Sequence, residues 1–250
     1  MSAPLVLFSG VGSDCGMFAP VVDRLRGDVP VIAWDMPGYG GKPLSGPLSF
    51  AGMADEAVAD LDKAGISKAV FLGHSIGGMI AQEVYHRHPD RVAALILSGT
   101  TPLFGSRDGS FQEAFLKARL GPLDGGKSMA ELAQGASGEL LGSNADPAAA
   151  PAVEALMAEL PEASYRAGLK CLVTFNRREE LPSIAVPVLL IAGDEDRNAP
   201  IKTMQRMAEL IPDAKIEVLR TTGHMAPLEC PDRFANIVKE FLKSLPEETS

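Results

Sequence analysis

Short apolar runs alternate with amphipathic stretches along the first hundred residues. Residues 5–9, 29–34, 69–73 and 92–98 are rich in Val, Leu and Ile and lack polar alternation, which predicts strands buried on both faces of a parallel sheet. Between them, residues 17–25, 50–64 and 76–88 carry helical spacing, the last stopping ahead of Pro89. The pattern then changes. Residues 101–182 hold no strand signal; 111–120, 128–141, 152–160 and 164–175 read as helices broken by Gly and Pro, with 144–152 as a low-complexity linker. Strand pattern returns at 188–192 and 215–219, and a helix is expected to start near Ile201. The last helix sets Phe234, Ile237, Val238, Phe241, Leu242 and Leu245 on one apolar stripe fit to dock on a sheet. The expected fold is α/β: a mostly parallel sheet with helices on both faces, its core formed by 1–100 and 183–250, interrupted by a helical cap at 101–182.

Composition removes whole classes of function. The 250 residues carry 23 Lys+Arg against 32 Asp+Glu, a formal net charge of −9, with no basic cluster; nucleic-acid binding is disfavoured. No uncharged apolar run reaches the roughly 18 residues of a membrane-spanning helix. The amino-terminal stretch has no positive charge ahead of its apolar run, as a secretory signal would, so a cytoplasmic location is expected. Cys15, Cys171 and Cys230 are far apart and read as reduced, buried thiols, neither a disulfide framework nor a zinc site. No metal or cofactor is implied.

Candidate chemistry gathers at the ends of the expected strands. Gly73-His74-Ser75-Ile76-Gly77-Gly78 lies between a strand and a helix, where a serine on a sharp turn needs small residues two places before and after it. Such a turn lifts the Ser75 hydroxyl above the sheet at a helix start. The competing reading, a Gly-rich phosphate loop, lacks the required Lys. A serine nucleophile needs a base, and the base an orienting acid. Of four histidines, His74 is expected to project away from the Ser75 hydroxyl, and His86 and His88 sit at a helix end. His224, in the loop after the last strand, is the candidate base. The acid comes from Gly193-Asp194-Glu195-Asp196, with Asp196 preferred and Asp194 next. The oxyanion donors are expected to be the backbone N–H groups of Ile76 and of Val11, in the glycine-rich loop after the first strand.

These pieces, with Asp35-Met36-Pro37-Gly38-Tyr39-Gly40, resemble the α/β-hydrolase superfamily over nearly the whole chain. Two departures stand out: the usual first hairpin is missing, and the His-Gly pair common before the oxyanion loop is Ser9-Gly10. Serine in the nucleophile slot excludes the haloalkane dehalogenases and epoxide hydrolases, which need aspartate. The 12–18 stretch and the segment ending at Pro182 are most similar to 3-oxoadipate enol-lactonases and neighbouring carboxylesterases. The expected function is hydrolysis of a small ester or lactone through an acyl-enzyme on Ser75. Alternatives are carbon-carbon hydrolysis of meta-cleavage type and a hydrolase-fold ligand receptor with little turnover. Phe104, Phe111, Phe115, Leu116, Leu120, Leu156, Leu172 and Phe175 are expected either to line the pocket beneath the cap or to pack its core. Arg119, Arg166, Arg177 and Arg178 are the cap cations available to a substrate carboxylate, with surface solvation as the plainer role.

Overall fold

A computed structural model describes residues 3–246 of the chain. Six strands form one sheet among the described residues: β1 (Leu5–Phe8), β2 (Val31–Ala33), β3 (Ala69–His74), β4 (Val92–Ser98), β5 (Val188–Gly193) and β6 (Ala214–Leu219). Their order is β2-β1-β3-β4-β5-β6, and every pairing is parallel. All six expected strands are present, each within one residue of the expected start and end, except that β2 begins two residues late, at Val31.

The apolar runs of β1, β3, β4 and β5 are continuous because each of these strands feeds two cores. Val6, Phe8, Phe71 and Leu190 face one side, packed with α2 (Phe50–Lys63), α3 (Ile76–Arg87) and α9 (Ile201–Leu210). The alternate residues Leu5, Leu7, Leu72 and Ile191 face the other, packed with α1 (Ala19–Leu25) and α11 (Pro231–Ser244). Phe234, Val238 and Phe241 of α11 supply the expected stripe to that second core.

Between β4 and β5 the chain runs through α4 (Ser110–Asp124), α5 (Met129–Ala133), α6 (Ala136–Leu140), α7 (Ala149–Ala158) and α8 (Glu162–Leu172). The entry and exit of this segment lie side by side: Phe104 N–H donates to Phe175 O (3.0 Å) and Arg177 N–H to Pro102 O (2.7 Å). Two expectations change here. Residues 128–141 are not one helix, because Gly135 takes φ +79° and splits α5 from α6. The 144–152 stretch is not all linker: the Asp146 side chain accepts the Ala148 N–H (2.8 Å) and its carbonyl the Ala149 N–H (2.9 Å), starting α7 inside it.

Because every strand runs the same way, the loops after β1, β3, β4, β5 and β6 meet at one sheet edge. Among the described residues, no helix is long and apolar enough to cross a membrane.

Candidate active site

At that edge Ser75 joins β3 to α3 with φ +55° and ψ −120°, a backbone state that non-glycine residues rarely hold. The glycines around it are required by space. A Cβ on Gly73 would fall on the Gly77 carbonyl, and one on Gly77 on the Phe8 carbonyl. Gly78 leaves room for Thr100, whose hydroxyl donates to Ser75 O (2.7 Å), while Ser75 N–H donates to Ser98 O (2.9 Å). The turn is thus pinned by β4 and the residues that follow it.

The three acidic candidates are separated by their partners. Glu195 accepts from Ser143 N–H (2.6 Å) and Ser143 Oγ (2.7 Å), and Asp194 lies 3.6 Å from the Arg220 guanidinium. Asp196 is buried: its Oδ1 accepts the N–H groups of Asn198 (2.8 Å) and Ala199 (3.0 Å), and its Oδ2 lies 2.8 Å from His224 Nδ1. That contact leaves the other ring nitrogen of His224 free to face the cavity in which Ser75 also lies. Asp196 and His224 are brought into contact; Ser75 lines the same cavity as His224, without a direct hydrogen bond to it among the described residues.

The His74 ring is fully buried against that of His224, with centroids 4.8 Å apart, and its Nδ1 meets Ser98 Oγ at 3.3 Å. Burial, with His224 beside it, holds its pKa well below that of an ordinary histidine. His88 pairs with Asp55 at 2.7 Å, far from this cavity's lining.

Ile76 opens α3, so its N–H is one of the helix's unpaired donors, while its side chain is buried in the core. Val11 lies across the cavity in the loop after β1. Asp35 shapes that loop by accepting the Cys15 N–H (2.7 Å), and Tyr39 hydroxyl lies 3.1 Å from both Val11 O and Ser164 O. Tyr39 therefore ties the loop to α8, a link the sequence marks only as an aromatic between Gly38 and Gly40.

The cavity measures about 420 Å³. Phe104, Phe111, Phe115, Leu156 and Leu172 line it; Met79, Tyr165 and Leu169 are further lining residues that the spacing did not single out. Phe175 does not line it. Its ring packs on Phe50, centroids 4.6 Å apart, in the core beneath the segment. Of the four candidate arginines between β4 and β5, Arg166 is held by Glu162 and Asp124, and Arg177 by the buried Glu83 at 2.8 and 3.0 Å. Arg119 alone of the four lines the cavity, and Glu139 engages it at 3.1 Å. Cys15 and Cys171 are buried as expected, whereas Cys230 is half-buried.

Comparison with known families matches residues 5–237 to the alpha/beta hydrolase family. The chain belongs to that family. A pimeloyl-[acyl-carrier protein] methyl ester esterase of Aromatoleum aromaticum is 28% identical over 249 residues, covering 96% of this chain and 98% of the esterase. 3-Oxoadipate enol-lactonase 1 of Acinetobacter baylyi is 26% identical over 245 residues, covering 98% and 90%. Among solved structures, a thermophilic esterase from Thermogutta terrifontis superposes with a TM-score of 0.89 at 24% identity, covering 98% of this chain and 91% of that one. The hydrolase fold inferred from the motifs is thereby established, and the relatives of this chain include esterases and an enol-lactonase.

Proposed function

We propose that this hydrolase cleaves a small carboxylic ester or lactone through an acyl-enzyme on Ser75. The observation that carries the reading is the 2.8 Å Asp196–His224 contact, opening on the same cavity as a serine held at positive φ. In this reading Ser75 Oγ attacks the carbonyl carbon as His224 takes its proton. Asp196 stabilises the imidazolium and fixes its orientation. The Ile76 and Val11 N–H groups hold the oxyanion. Collapse of the tetrahedral intermediate expels the alcohol, protonated by His224; a water activated by His224 then attacks the acyl-enzyme, and Ser75 leaves with the proton restored. A lactone opens by the same steps with its alcohol still attached.

Residues 101–182 serve as the cap that shapes the acyl pocket. The mostly apolar wall fits a mostly apolar acyl group; Arg119 in that wall is engaged by Glu139, and Arg197 lines it as well. Turnover of short-chain aryl esters, lactones and enol-lactones by the purified protein, beside Ser75→Ala, tests the reading. At least a thousandfold loss in Ser75→Ala is expected. Activity within tenfold of the parent would reject the mechanism.

A further inference from the structure

Glu229 is a carboxylate with 3% exposure at the end of α10 (Ala226–Glu229), five residues beyond His224. A buried carboxylate needs hydrogen-bond donors to offset its desolvation. Three backbone N–H groups supply them. Oε1 accepts from Met225 (2.9 Å); Oε2 accepts from Gly223 (2.8 Å) and from Gly142 (2.7 Å). The first two are the residues on either side of His224, and the third belongs to the segment between β4 and β5. His224 itself donates its N–H to Leu140 O (2.6 Å), and Asp146 N–H donates to Glu229 O (2.9 Å). The two chains touch so closely that a Cβ on Gly142 would lie 2.5 Å from Thr221 O, and one on Gly223 2.5 Å from Leu140 O.

We infer that Glu229 is the positioning residue of the candidate base: its carboxylate brackets the His224 backbone and fastens it to residues 140–146, so that loop and cap hold one geometry. The inference rests on the reading of His224 as the base. Glu229 acts through His224 by fixing the loop from which the ring projects. The titratable groups around the pair are few. His224 is faced by Asp196 and His74, and Glu229 by His224 and the Cys230 thiol, with Arg233 of α11 beyond Cys230. Arg24 of α1 is held by Asp232, and Glu154 of α7 by Ser137.

The test compares parent, Glu229→Gln, Glu229→Asp and Ser75→Ala on one aryl ester, with active sites counted by covalent titration with an aryl phosphonate. Counting sites removes any unfolded fraction from kcat. The inference expects Glu229→Gln to lower kcat about tenfold or more per active site with KM within threefold. Glu229→Asp, one methylene short of the same three N–H groups, is expected to lower kcat as well. Parental kcat per site in Glu229→Gln, with or without a lowered melting temperature, would overturn the inference and assign Glu229 to folding alone. Retained hydrolysis in Ser75→Ala would instead reject the underlying reading of the site.

Discussion

Asp196 and His224 approach to 2.8 Å although they lie on the loops after two successive strands, β5 and β6, and the acid is held independently by its own loop. The Asn198 and Ala199 N–H groups occupy Oδ1, which leaves only Oδ2 to face the ring. The carboxylate therefore cannot rotate to another partner without breaking two hydrogen bonds. Asp196→Asn would keep the shape while presenting an amide to Nδ1, favouring the wrong tautomer of His224. A loss of about 10³–10⁴ in kcat is expected, with an unchanged fold by circular dichroism. Asp194→Asn is expected to fall within a few-fold of the parent, since Asp194 faces Arg220 rather than His224.

The elbow makes a prediction about space. A methyl group on Gly77 would enter the Phe8 and Ser9 carbonyls, and β1 cannot retreat because β2 and β3 pair with it on both sides. Gly77→Ala is expected to cost about 3 kcal/mol or more and to abolish ester hydrolysis in whatever folds. Gly121→Ala is the contrasting case: nothing lies within 4 Å of the added carbon and the site is inside α4. It is expected to raise stability by about 0.5–1 kcal/mol. Urea midpoints of the two variants against the parent measure both.

Much of this arrangement could be read from the chain, for identifiable reasons. A strand that feeds two cores, as Leu5 to Phe8 does, is apolar at every position, and such runs cannot be mistaken for amphipathic helix. The Ser75 turn is legible because its glycines are demanded by local backbone geometry. The choice among Asp194, Glu195 and Asp196 is a matter of tertiary partners, Arg220, Ser143 and His224, to which sequence order gives only a preference. The spacing runs a helix through Phe175, but α8 stops at Leu172 and the Phe175 ring, beyond its end, meets Phe50, whereas Phe115 inside α4 meets the cavity. Glu229 went unmarked for a similar reason: its Gly142 partner is 87 residues away and is a backbone N–H, which any residue type supplies. The one signal was a lone carboxylate closing the apolar stretch after His224.

His74 ties stability to pH. It is fully buried, and its pKa in the fold lies well below 6.5, chiefly through desolvation and then through His224. The unfolded chain binds a proton near pH 6.5 where the folded one does not, so this group's contribution is complete above that pH and is lost as the pH falls below it. The expected slope approaches about 1.4 kcal/mol per pH unit for this single proton. Urea denaturation at pH 7.5, 6.5, 5.5 and 5.0 reads it. His74→Gln, which removes the titrating ring, is expected to flatten that part of the profile; an equally steep profile in the variant would reject the assignment.

Tyr39 offers a way to disturb the oxyanion loop without touching the reacting groups. Its buried hydroxyl carries one proton between two carbonyls, Val11 O and Ser164 O, both at 3.1 Å, and burial raises its pKa so that it remains a donor. Gly168 of α8 packs against the same ring: an added Cβ would meet the Tyr39 hydroxyl and, at 2.8 Å, the Val11 side chain. Tyr39→Phe leaves two buried carbonyls short of a donor, at a cost of about 1–3 kcal/mol in stability. It also frees Val11, whose N–H is the proposed oxyanion donor. Because that donor acts most strongly on the developing negative charge, the loss should fall on kcat, by about tenfold, with KM within twofold. Steady-state kinetics of Tyr39→Phe on an aryl ester decides the point: a change in KM alone would show that the Tyr39 bridge shapes substrate binding and leaves the oxyanion contact intact.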